Sequence, residues 1–108
     1  MKLYYIICVG TPTKNHPIVS FLGCELMDVF GTNKKLLYSL CNDPLVGTRF
    51  TVYDIMDAIK NDKEAQALAF KTKEDVSDYM KNHSSDFSDI SNPEAPWNYK
   101  HSILEVEI

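Results

Sequence analysis

Residues 3–9, L-Y-Y-I-I-C-V, form an unbroken apolar run rich in β-forming side chains. Strand side chains alternate between two faces, so a run with no charged member presents apolar surface on both. This predicts a central strand covered on each side. Gly10 and Pro12 close it, because both residues punctuate regular structure. A second strand is predicted at residues 18–22, between Pro17 and Gly23, returning antiparallel to the first. Residues 10–17 are then the connecting loop.

The stretch from Cys24 to Asn42 supports two readings. Leu26, Met27 and Phe30 fit a helical stripe ending at Gly31. Leu36, Leu37 and Leu40 then predict a second helix over residues 34–41, capped by Thr32 or Asn33. The competing reading is a hairpin that turns at residues 31–33. Asn42, Asp43 and Pro44 stop the element in either form.

The second half reads more plainly. Residues 48–50 suit a short strand. Thr51 with Asp54 three positions on has the form of a capping box. Val52, Ile55, Met56 and Ile59 follow with helical spacing, and Asn61 and Asp62 end that helix. Residues 65–70 are expected as a strand, because Thr72 and Asp75 open another capped helix running to about His83. Val76, Tyr79 and Met80 are its inward face. Residues 83–98 are serine-rich, acidic and broken by Pro93 and Pro96, which predicts a long, partly mobile loop. In residues 99–108, Leu104, Val106 and Ile108 alternate with Glu105 and Glu107, as in a strand with one wet face. It is placed beside the first strand, bringing the termini together.

Together these elements predict one compact domain over residues 1–108. Its class is α+β: a small, mostly antiparallel sheet of about four to five strands with helices packed on one face. At 108 residues, 44% hydrophobic and 24% charged, the chain is neither collagen-like, nor a coiled coil, nor wholly disordered. Cys8, Cys24 and Cys41 are widely spaced, odd in number and set among apolar residues. That pattern suits small buried thiols in a reducing cytoplasm. The run after Met1 and Lys2 is too short for a signal peptide, and no stretch approaches a membrane span.

Charge narrows the partners. The net charge is −4, with ten lysines but Arg49 as the single arginine. Arginine is the preferred fork for guanine and phosphate, so direct nucleic-acid recognition is not expected. No RNP-like aromatic motif is present either.

Signatures of chemistry are sparse. V-G-T-P-T-K at residues 9–14 follows a strand but lacks the G-K-[ST] ending of a phosphate loop. Thr11, Thr13, Lys14 and His16 remain candidates to grip an anion, against the ordinary reading of a solvated turn. His16, His83 and His101 have no metal-ligand spacing, so neither a metal nor another cofactor is expected. Cys24 beside Glu25 lacks a marked base, and a core cysteine is the simpler reading. Asp54 with Asp57 and Asp75 with Asp78 share helix faces, where carboxylates could hold Mg²⁺. Polar faces of amphipathic helices are the simpler reading of both pairs.

These absences favour a non-enzymatic protein that binds and modulates or inhibits a partner protein. Small accessory proteins of bacteriophages and plasmids share this size and acidity, an analogy of composition and not of motif. The contact is assigned to Phe87, Trp97 and Tyr99, with Asp86 and Asp89 supplying charge, since Trp and Tyr are enriched at interface hot spots. Alternatives are a small-ligand or nucleotide-binding domain using residues 10–16, and a metal-assisted enzyme using the helix carboxylates. Homodimerisation through the edge of the final strand is compatible with each.

Overall fold

The apolar run lies inside β1 (Lys2–Pro12) of a computed structural model that describes residues 1–13, 25–32, 34–42, 51–92, 94–95 and 97–108. β1 is an interior strand. It pairs antiparallel with β2 (Glu25–Phe30) on one side and with β4 (Trp97–Glu107) on the other. β2 in turn pairs antiparallel with β3 (Lys35–Asn42), giving the order β3-β2-β1-β4. Helices α1 (Val52–Lys60), α2 (Lys63–Ala67) and α3 (Lys73–Asn82) lie between β3 and β4 in sequence. The fold is α+β with an antiparallel sheet, as the sequence implies. The strands expected at residues 18–22 and 48–50 lie outside the described residues.

Alternation along β1 divides the core in two. Leu3, Tyr5 and Ile7 face one side, where Val29, Leu104, Val106 and the α1 residues Ile55 and Ile59 pack on them. Tyr4 and Ile6 face the other side, against Phe70, Val76, Tyr79 and Phe87. The helices therefore cover both faces of the sheet instead of one. The cause is β1 itself: burying a large apolar side chain is worth about 1.5–3 kcal/mol, and neither face could be left wet. Leu3, Tyr5 and Ile6 are all fully buried.

Capping sets the helix boundaries. Thr51 accepts from the Asp54 N–H, and Asp54 Oδ2 accepts from the Thr51 N–H at 2.7 Å, completing the expected box. Thr72 likewise accepts from the Asp75 N–H at 3.0 Å, and His83 is the C-cap of α3. Residues 65–70 depart from the strand expected there. Asp62 Oδ1 accepts from the Ala65 N–H at 3.1 Å and so starts α2, instead of merely ending α1. Only Phe70 behaves as a strand residue, exchanging two 2.9 Å backbone hydrogen bonds with Tyr4.

The stretch from Glu25 to Asn42 forms the hairpin and not the helices. The β2–β3 register shifts between Met27 and Val29 and again between Val29 and Phe30. Each shift adds one residue to β3, which breaks the period of two. The leucines at 36, 37 and 40 thus mimic helical spacing inside an irregular strand. Gly31 ends β2 where a Cβ would stand 2.6 Å from the Leu68 carbonyl oxygen. The next N–H, of Thr32, donates to that same oxygen at 2.8 Å.

Gly31→Val is expected to cost about 1–3 kcal/mol, as overpacking against backbone does. Chemical denaturation reads this as a lowered midpoint with an unchanged slope. An unchanged midpoint would show that residues 31 and 68 separate freely.

Candidate interaction site

The residues after α3 are tied down step by step. His83 Nδ1 lies 2.9 Å from the Tyr79 carbonyl oxygen, and its ring stacks on the Tyr79 ring at 4.0 Å. The Asp86 and Phe87 N–H groups donate back to the His83 carbonyl, turning the chain. Phe87 is thereby set edge-on to Phe30 at 5.5 Å and to His101 at 5.7 Å. Aromatic pairs favour this geometry, since the positive ring edge meets the negative face.

Beyond Phe87 the chain runs along the outer edge of β4. Asp89 Oδ1 accepts from the His101 N–H at 2.8 Å. Ile90 and Tyr99 exchange two backbone hydrogen bonds of 2.9 Å. Asn98 Oδ1 accepts from the Asn92 N–H at 3.0 Å, and the Thr13 hydroxyl donates to the Ala95 carbonyl at 2.5 Å.

This docking walls an open groove of about 560 Å³, lined by Val9, Thr11, Asp89, Ile90, Ser91, Asn98, Tyr99 and Lys100. Val9, Ile90 and Tyr99 are its large apolar members, and Asp89 and Lys100 give it charges of both signs. Ile90 is 44% exposed. A second cavity of about 280 Å³ lies between Phe30, Lys34, Lys35, Tyr79, Asp86 and Phe87.

The residues singled out from sequence are distributed as follows. Tyr99 and Asp89 share the larger groove, joined by Thr11. Phe87 is half-buried in the aromatic cluster, and the exposed Asp86 lines the smaller cavity. Trp97 opens β4, which therefore begins two residues earlier than the sequence suggests, and its side chain lies outside the described residues. Thr13 is buried, with its hydroxyl on the Ala95 carbonyl, and does not line the groove that Thr11 lines. Lys14, His16 and Cys24 lie outside the described residues. Of the helix carboxylates, Asp54 caps α1 and Asp75 sits in the first turn of α3. Among the described residues, no three His, Cys, Asp or Glu side chains are placed to hold a metal.

Ile90 was missed because periodicity has nothing to act on in a loop. Its signal was its isolation as an aliphatic residue in a polar segment. The contact between Cys8 and its neighbours was also invisible in sequence. Cys8 stands between Asp28 on β2 and His101 on β4. Burial, then the Asp28 and Asp89 carboxylates, push its thiol up to about 11, with Lys35 acting in the opposite sense. At neutral pH it is a protonated, poorly nucleophilic group. His101 Nδ1 is buried, 3.7 Å from Asp89 Oδ1 and with no hydrogen-bond partner among the described residues.

Comparison with protein-family models, with curated proteins and with solved structures finds no match.

The Cys8 shift has a consequence for stability. Its pKa in the folded state lies above the ordinary thiol value of 9.0. Between about pH 9 and 11 the unfolded chain therefore binds fewer protons than the folded one, and stability falls as pH rises. Cys8→Ala is expected to flatten this part of the profile in denaturation midpoints measured from pH 7 to 11. An equally steep profile in the variant would remove Cys8 as its source.

Proposed function

We propose that this protein is a non-enzymatic interaction module that binds a partner protein through the groove beside β4, in the manner of a small acidic accessory protein. One observation carries the reading: the exposed Ile90 and the half-buried Tyr99 line an open groove flanked by Asp89 and Lys100. A desolvated apolar centre with a polar, charged rim is the usual anatomy of an interface. No helix among the described residues is long and apolar enough to cross a membrane.

Ile90, from the segment after α3, and Tyr99 of β4 are the anchor of this contact, in place of Phe87. Phe87 holds the segment against Phe30 and His101 and acts on the site through that packing.

A second reading rests on the same groove. Its volume, about 560 Å³, lies in the range of small-ligand sites, with Thr11 as a hydroxyl donor at its edge.

The test compares wild type with Ile90→Asp in capture from the native host's lysate, with thermal unfolding as a control. The expected result is a stoichiometric protein partner lost in the variant, at an unfolding temperature within a few degrees of wild type. Surface substitutions usually stay within about 0.5 kcal/mol. A bound small molecule in place of a protein would favour the second reading. Equal capture by both proteins would place the contact elsewhere.

A further inference from the structure

The outer edge of β4 is occupied along only part of its length. Tyr4 makes its backbone hydrogen bonds to Phe70, away from β4, so its cross-strand partner Glu105 belongs to a non-hydrogen-bonded pair. The backbone groups of Glu105, and by alternation those of Ile103 and Glu107, point away from β1. Tyr99 and His101 belong to the same outward series. Tyr99 is paired with Ile90, and the His101 N–H is taken by Asp89. Ile103, Glu105 and Glu107 have no such partner among the described residues.

An open edge is a template for another strand. Its side chains decide which. Ile103, Glu105 and Glu107 project to one face, so an added strand meets an apolar residue and then two carboxylates at alternate positions. Glu105 pairs with Lys2 at 3.4 Å and Glu107 with the Met1 amine at 3.3 Å, each through Oε1. All four side chains or groups are at least half exposed, so these ion pairs are weak and leave Oε2 as an acceptor. A second copy fits poorly. The antiparallel register that uses all three open residues sets Glu105 directly opposite its own copy, and like charges in that position destabilise a sheet.

We propose that the edge of β4 from Ile103 to Glu107 binds an extended segment of a partner protein that carries lysine or arginine at alternate positions. In the antiparallel sense the matching pattern is basic, any, basic, any, aliphatic. Backbone hydrogen bonds supply the attachment, and the two carboxylates select the sequence. This deepens the partner-binding reading, on which it rests, by naming the chemistry of the partner.

The test uses two synthetic eight-residue peptides at low ionic strength, one alternating lysine with valine and the other glutamate with valine. Amide chemical shifts and hydrogen exchange are followed by NMR on the full chain. The lysine peptide is expected to shift and protect the Ile103, Glu105 and Glu107 amides and to bind about tenfold tighter than the glutamate peptide. Added salt weakens it. The double variant Glu105→Lys, Glu107→Lys is expected to reverse the preference. If it does not fold, the milder pair Glu105→Gln and Glu107→Gln is expected to abolish it.

Equal binding of both peptides, or shifts confined to other residues, overturns the proposal. So does dimerisation of the free protein through these amides in sedimentation, which would make a second copy the occupant. The two readings fail separately. Partner capture that depends on Ile90 without lysine-peptide binding keeps the groove and removes the edge. Lysine-peptide binding without any captured partner does the converse.

Discussion

Leu3 and Tyr5 on one face of β1, and Ile6 on the other, are fully withdrawn from water. A strand buried in this way needs neighbours at both of its edges and cover on both of its faces. β2 and β4 take the edges. Ile55 and Ile59 of α1 cover one face, and Val76 of α3 with Phe70 covers the other. The Tyr5 hydroxyl shows how closely the layers are joined. It donates to the Ala65 carbonyl of α2 at 2.8 Å in the core, and burial followed by the Asp62 charge push its pKa up to about 12. A phenol in that position must stay protonated and hydrogen-bonded, since an unmet buried polar group costs about 1–3 kcal/mol.

The same constraint accounts for the proposed interaction surface. Because β1 is central, β4 is left as an outer strand with one side of its backbone unclaimed. The segment after α3 claims the first part of that side through Asp89 and Ile90. Phe87 anchors the segment on the face that α3 covers. The groove beside Val9 and Lys100 and the open stretch from Ile103 to Glu107 both follow from how far this docking extends. Groove and edge are neighbours along one strand, with the docked Asp89 and Ile90 forming the wall of the first and the limit of the second.

The legible parts of the sequence were those whose signal is local or strictly periodic. Capping at Thr51 and Thr72 involves atoms three residues apart, so it reads directly from the chain. The alternation of Leu104 and Val106 with Glu105 and Glu107 marks β4. It also fixes the register, since a slip by one residue would carry two carboxylates into the core. The failures share a cause as well. Two irregularities in the β2–β3 pairing hid the period of β3, and the leucines at 36, 37 and 40 then resembled a helix. At residues 65–70 the Asp62 cap prevailed over strand-forming composition.

What the sequence determined by itself is the α+β class, the helices α1 and α3 with their caps, and a first strand that has to be central. Each rests on hydrogen bonds or side-chain periods confined to a few successive residues. Only the tertiary structure decided the hairpin at Gly31, the cover on both faces, and the joining of Ile90 to Tyr99 and of Cys8 to His101. Cys8 and His101 are far apart in the chain, and they meet because the strand order and register of β1 and β4 place them together. Ile90 meets Tyr99 because the segment after α3 docks on the outer edge of β4. The β1–β4 register is set by burial of the whole sheet.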